Sequence, residues 1–149
     1  MILAGNNGLS ASQQRVQMSM WAIFAAPLLM SNDLRDISPE SVAIAQHKEV
    51  IAINQDPLGL QGTCKLGCNT EQQVWTRKLS NGRLAVALLN VHSGVPGYPI
   101  WMSFDGKDVG MAKFTARDVW QGKDLGAMTS FKSRVGSNSV QLLVLTPQP

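Results

Sequence analysis

No stretch of this sequence is long and apolar enough to cross a bilayer: the longest apolar run, Met18 to Met30, contains Ser19 and Pro27 and falls short of the roughly 20 residues a spanning helix needs. No run of Lys or Arg occurs either. The 13 basic and 10 acidic residues leave a net charge of +3 spread along the chain, which gives no electrostatic footprint for nucleic acid. Neither a membrane nor a nucleic acid is expected as a partner. No basic region and cleavage site accompany an apolar stretch at the N-terminus, so no signal peptide is expected within the chain. Internal repeats and Asn-x-Ser/Thr acceptors are also missing.

Cysteine and histidine are scarce, and this bounds the chemistry. Cys64 and Cys68 flank Lys65-Leu66-Gly67, and His47 and His92 stand far apart in sequence. A closed structural zinc site wants four ligands, so no metal is expected, and no cofactor motif appears. The two cysteines are either a local disulfide across a turn, feasible if their Cα atoms approach within about 6 Å, or two free thiols. The bridge is the preferred reading and implies an oxidising compartment. Neither histidine sits in a nucleophile motif, there is no G-x-S-x-G, and both read as surface or capping residues.

What is present is an ordinary globular composition: 149 residues, 44% apolar and 15% charged, enough for one good core or two small ones. The chain changes character at Asn54-Gln55-Asp56-Pro57-Leu58-Gly59. Pro57 removes a backbone donor and holds Asp56 extended, and Gly59 opens backbone angles closed to other residues. This stretch reads either as a hinge between two architectures or as an ordinary Pro/Gly loop within one domain.

Before it, Met1 to Ala4 is a short apolar strand emptying into Gly5-Asn6-Asn7-Gly8. Ser10 with Gln13 fits a capping box, and Val16, Met20, Ile23 and Phe24 recur at helical spacing, which predicts a helix from about Ser10 to Ala26. Pro27 ends it, and Pro27 to Ser31 is a second apolar strand closing in Asn32-Asp33. Ser38, Pro39 and Glu40 open a second helix running to about His47 or Lys48. Val50 to Ile53 is then expected to run extended into the hinge. Strand, helix, strand, helix is the pattern of parallel βα units, and two such units cannot close a sheet. Val16, Met20, Trp21, Phe24, Leu28 and Leu29 are therefore expected to leave apolar surface exposed.

After the hinge the period is that of antiparallel strands. Gln73 to Leu79 alternates, Ser80-Asn81-Gly82 turns, and Leu84 to Val91 is a more fully apolar strand. Further strands are expected at Tyr98 to Phe104, Lys113 to Trp120, Thr129 to Val135 and Ser139 to Thr146. Short strands with regular turns suggest a sandwich whose core includes Trp75, Val86, Leu88, Trp120, Leu142 and Val144. Asp33 lies where a barrel strand would end and so where barrel enzymes keep their chemistry; a loop or cap carboxylate is the preferred reading of Asp33, Asp36 and Asp56.

Four ordered segments carry a resemblance: Met1 to Ser10, Gln17 to Ile23, Ala26 to Arg35 and Val50 to Gly59. Together they resemble the closing part of the α-galactosidases and α-N-acetylgalactosaminidases of glycoside hydrolase family 27. The second half is similar more weakly, at Val74 to Arg77 and Ala116 to Trp120. The resemblance implies an α/β region, the last two βα units of a (β/α)8 barrel at 1–54, followed by an all-β region, an antiparallel β-sandwich at 55–149. It implies retaining hydrolysis by two aspartates about 5 to 5.5 Å apart, acting on a terminal α-galactosyl or α-N-acetylgalactosaminyl residue. Both aspartates would lie upstream of everything matched. Met1 aligns with the last residue of the family's W-N-D-P-D-M segment, and the resemblance carries it over to the substrate pocket as an apolar wall. The enzyme so implied is lysosomal or secreted, with a homodimer left open. The alternative is a free-standing β-sandwich with a binding or structural role.

Overall fold

Three helices come first and eight strands follow in a computed structural model that describes residues 1–6, 8–92 and 99–149. Asn7 of the expected loop, and Tyr98 with which one expected strand begins, lie outside the described residues. Helix α1 (Ala11–Phe24) is held at its start by the capping box: the Gln13 N–H donates to the Ser10 hydroxyl at 3.3 Å, and the Ser10 N–H donates to the Gln13 side chain at 2.9 Å. It ends at Ala25, which takes the left-handed conformation (φ 53°) before Pro27 is reached. Helix α2 (Pro39–Ala45) begins as its sequence suggests, with the Ser41 N–H donating to Ser38 Oγ at 3.1 Å and Pro39 in the first turn.

Val50 to Ile53, expected to be extended, instead lie in a third helix, α3 (Lys48–Asn54). Val50 and Ile53 share one face of that helix and are buried in a cluster with Met18, Ala22 and Ile23. β-Branched residues cost only tenths of a kcal/mol each in a helix, while burying such a side chain contributes about 1.5–3 kcal/mol. Packing wins. The apolar runs around Ile2 and Met30 meet in a single parallel bridge, with the Ile2 N–H donating to Leu29 O at 2.7 Å and the Ser31 N–H to Ile2 O at 3.0 Å. The parallel sense agrees with the βα reading, and the first part of the chain is α/β as expected.

The remaining chain is all-β. Strands β1 (Thr63–Leu66), β2 (Gln72–Lys78), β3 (Leu84–Asn90), β5 (Phe114–Asp118), β6 (Lys123–Met128) and β8 (Ser139–Pro147) form one antiparallel sheet in the order β1-β2-β3-β8-β5-β6. Strands β4 (Ile100–Asp105) and β7 (Ser130–Val135) pair as a second sheet. The β2–β3 hairpin closes with Lys78 opposite Leu84, and Asn81 and Gly82 both have positive φ (58° and 69°), which this tight turn requires.

Strand β3 is buried at every position because it is covered on both faces. Ala85, Ala87 and Leu89 join the cluster with α1 and α3, while Leu84, Val86 and Leu88 join Phe104, Phe114 and Leu143 between the sheets. Of the expected core, Val86, Leu88 and Leu142 are fully buried, and Trp75, Trp120 and Val144 pack half-buried on the helix side. Here the expectation of exposed apolar surface on α1 needs correction. Met20 is buried, and Val16, Trp21, Phe24 and Leu28 pack against the cluster shared with the sheet, which leaves Leu29 as the exposed member at 61%. Gly62 makes this approach possible. Its N–H donates to Ile23 O at 2.8 Å, and a Cβ there would stand 2.7 Å from that oxygen and 2.8 Å from Thr76 O.

Candidate functional site

The bridge between Ile2 and Met30 is the centre of the apolar edge the sequence singles out. Gln17 of α1 clamps it from one side, accepting from the Leu3 N–H at 2.7 Å and donating to Met1 O at 3.2 Å. Ser31 Oγ donates to Ile2 O at 3.0 Å and Asn32 Nδ2 donates to Ala4 O at 2.7 Å from the other. The backbone is thereby fixed while side chains stay open: Met1 is 69% exposed, and Leu3, Leu29, Met30 and Leu34 are exposed with it. Met1 therefore stands as an apolar side chain on a rigid support.

Asp33, beside this edge, is turned onto Arg35, whose Nε and Nη2 donate to it at 2.9 and 2.6 Å and whose N–H donates at 2.9 Å. Those hydrogen bonds hold its carboxyl below the usual carboxylate range. Asp33 is thus spent on the local turn it closes with Arg35. Asp36 is exposed in the same turn, its N–H reaching Asp33 O at 3.4 Å.

Asp56 is the polar centre of the supposed hinge. It is 6% exposed and accepts from the Ser80 N–H at 3.0 Å, from Ser80 Oγ at 2.8 Å and from the Leu58 N–H at 3.1 Å, with Arg83 at 3.8 Å. Burial pushes its carboxyl up, and the Ser80 and Leu58 hydrogen bonds with the Arg83 charge more than offset this, so the net shift is down. Beside it Arg77, 1% exposed, donates from Nη1 to Ala22 O and to Asn54 O, the latter at 3.2 Å, while its Nε and Nη2 have no partner among the described residues. Arg77 ties β2 to the ends of α1 and α3. Alternation along β2 places it on the same face as Trp75, the one signal that it points inward.

A second tie joins α3 to the sheet. Arg117 of β5 donates to both Glu49 oxygens at 2.7 and 2.8 Å and to Asp124 at 2.9 Å, which lowers the Glu49 carboxyl and raises the guanidinium. Cys64 and Cys68 are joined in a disulfide with Cα atoms 5.7 Å apart, as the preferred reading had it. His47 starts α3 and packs its ring 4.7 Å from that of Trp120, and His92 meets Glu71. Trp120 Nε1 in turn donates to Ser19 Oγ of α1 at 2.9 Å. The ionisable groups engaged in these contacts brace loops, turns and elements against one another.

Residues 1–56 match the family model described as alpha galactosidase A, and residues 69–145 match the one described as the alpha galactosidase C-terminal beta sandwich domain. Alpha-galactosidase A of Homo sapiens is 53% identical over a stretch covering 73% of this chain and 26% of its own length. Alpha-N-acetylgalactosaminidase of Mus musculus is 36% identical, covering 99% of this chain and 36% of its own. The crystal structure of alpha-galactosidase I from Mortierella vinacea superposes with a TM-score of 0.89 at 26% identity, covering 99% of this chain and 38% of that one. The chain thus spans about a third of the length of the relatives it matches.

Proposed function

The chain belongs to the α-galactosidase family, glycoside hydrolase family 27, as its C-terminal portion, and on that premise we propose that it is part of a retaining exo-glycosidase. The enzyme removes terminal α-galactosyl or α-N-acetylgalactosaminyl residues from oligosaccharides, glycolipids or glycoproteins. Its two catalytic aspartates belong to upstream sequence, and this chain supplies the last two βα units of the barrel (1–54) and the β-sandwich that braces them (55–149). Met1 forms an apolar wall of the sugar pocket, a role supported by its exposed side chain on a clamped backbone. The observation that carries the reading is that both family models match in order along one chain, on a fold with α/β first and a sandwich second.

The exposed pair Leu29 and Leu34 supports packing against the remaining barrel or, in the isolated chain, against a second copy as a homodimer. The Cys64–Cys68 bridge supports an oxidising destination, lysosomal or secreted. Purified 149-residue chain is expected to leave an aryl α-galactoside intact, because loss of a catalytic carboxylate costs orders of magnitude in rate. A product extended upstream through W-N-D-P-D and the rest of the barrel is expected to hydrolyse it. Turnover by the chain alone, abolished by a galactose-type inhibitor, overturns the proposal.

A further inference from the structure

Among the described residues, the six-stranded sheet is covered by helices, α1 foremost, on one face and by two strands on the other. The β4–β7 pair packs over β3 and β8. The flank formed by β1 and β2 stays open beside it as a cleft of about 920 Å³, closed at one side by the turn of residues 107–111 and at one end by the turn of residues 80–82. Its residues on β2, Thr76 and Lys78, point away from the face on which Trp75 and Arg77 meet α1. Further barrel packed with the helices would therefore leave the cleft accessible.

The rim of this cleft is cationic and unsatisfied. Lys65, Lys78 and Lys107 are all exposed and line it, and none of them forms an ion pair among the described residues. The other lining cation, Arg83, is turned to Asp56 at 3.8 Å, and the single lining carboxylate is Asp108. Three like charges converging on one concavity raise the local concentration of anions. Beneath them the surface is aliphatic: Leu58 and Leu60 are each 48% exposed, and Met111 lies half-buried beside them. No aromatic ring lines the cleft among the described residues, so a neutral sugar would find no platform to stack on.

We propose that this cleft binds a single anionic amphiphile, with its carboxylate, sulfate or phosphate head on Lys65, Lys78 and Lys107 and its alkyl chain along Leu58, Leu60 and Met111. Charge complementarity selects the head. The volume selects one molecule rather than a lipid surface, since concave small-molecule sites run from about 300 to 1,000 Å³ whereas a bilayer presents a plane. The proposal stands apart from the catalytic reading, because nothing in it depends on the barrel.

Titrating the 149-residue chain with dodecanoate below its micelle concentration, by calorimetry and by amide chemical shifts, tests it. One saturable site is expected, with shifts centred on Leu60, Lys78 and Met111. Dodecyl maltoside, which has an alkyl tail one carbon longer and an uncharged head, serves as the control and is expected to bind about tenfold more weakly or worse. The triple variant Lys65→Gln, Lys78→Gln, Lys107→Gln and, separately, Leu60→Asp are each expected to weaken dodecanoate by about tenfold or more. All four positions are exposed, and an unchanged far-UV spectrum verifies that the variants fold. Absence of saturable dodecanoate binding overturns the proposal, as does undiminished affinity in both variants, equal affinity for the maltoside, or binding only to phosphatidylglycerol vesicles.

Discussion

In the sandwich, most apolar strand residues meet partners within the chain, with Trp101 of β4 an exception at 61% exposure; in the helical region, one side does and the other does not. Strand β3 is buried at every position between two layers. Helix α1 matches it on the sheet side, where Met18, Ala22 and Ile23 are at most 1% exposed. The strand edge beyond α1 differs, with Met1, Leu29 and Leu34 at 69%, 61% and 66% exposure. The contrast teaches that an apolar pattern announces a face to be covered without saying whether the cover lies in the same chain. The relatives this chain matches are about three times as long, and the proposed function assigns this side to packing against further barrel.

The sharpest way to break this comparison is by truncation at each kind of site. Phe114 is fully buried and stacks 5.9 Å from Phe104, so Phe114→Ala is expected to lower stability by about 3–5 kcal/mol in urea unfolding. Leu29→Ala at the open edge is expected to change it by less than about 0.5 kcal/mol. Comparable losses would mean that the edge is covered in solution, most simply by a second copy.

A smaller effect is expected at the junction. Asp56→Ala leaves the Ser80 and Leu58 donors without their acceptor and is expected to cost about 1–3 kcal/mol, with amide exchange at Ser80 and Leu58 accelerated first. Unchanged protection there would remove Asp56 from the ties that join the two regions, leaving Arg77 and the Glu49–Arg117 pair.

The smallest effect concerns pH. Glu49, through its bonds to Arg117, and Asp56 both have folded pKa values below their ordinary 4.5 and 3.8. The unfolded chain then binds more protons in acid, so the stability these groups contribute is complete above about pH 5 and drains away as pH falls through the lowered values. The thermal midpoint is expected to fall more steeply with acidification in the unmodified chain than in Glu49→Gln. Parallel slopes would remove the Glu49–Arg117 tie from the junction.

Much of the fold was legible from local signals. Ser10 with Gln13, Ser38 with Pro39, and Asn81-Gly82 are short-range instructions that act through a neighbour's backbone, and each appears where its residues stand. Strands β1 and β6 were missed because they are edges: Thr63–Leu66 is short and ends against Gly67, and Lys123–Met128 carries polar residues and Gly126 where a buried strand would alternate. At the candidate site, Met1 could be named through the family resemblance while the Gln17 clamp could not; elsewhere, the cysteine pair was legible and the lysine cleft was not. Lys65, Lys78 and Lys107 come from a strand, another strand and a turn, and only the sheet brings them together.

By itself the sequence determined the order of architectures, the helix caps, the hairpin and the family, because these rest on contacts a few residues apart or on segments matched in order. The tertiary structure decided the state of Val50 to Ile53, the burial of Arg77 and the shared core of α1 with the sheet. Each of those turns on a partner far along the chain, and the free energy of burying a face against that partner exceeds the tenths of a kcal/mol by which local propensity favours one backbone state over another.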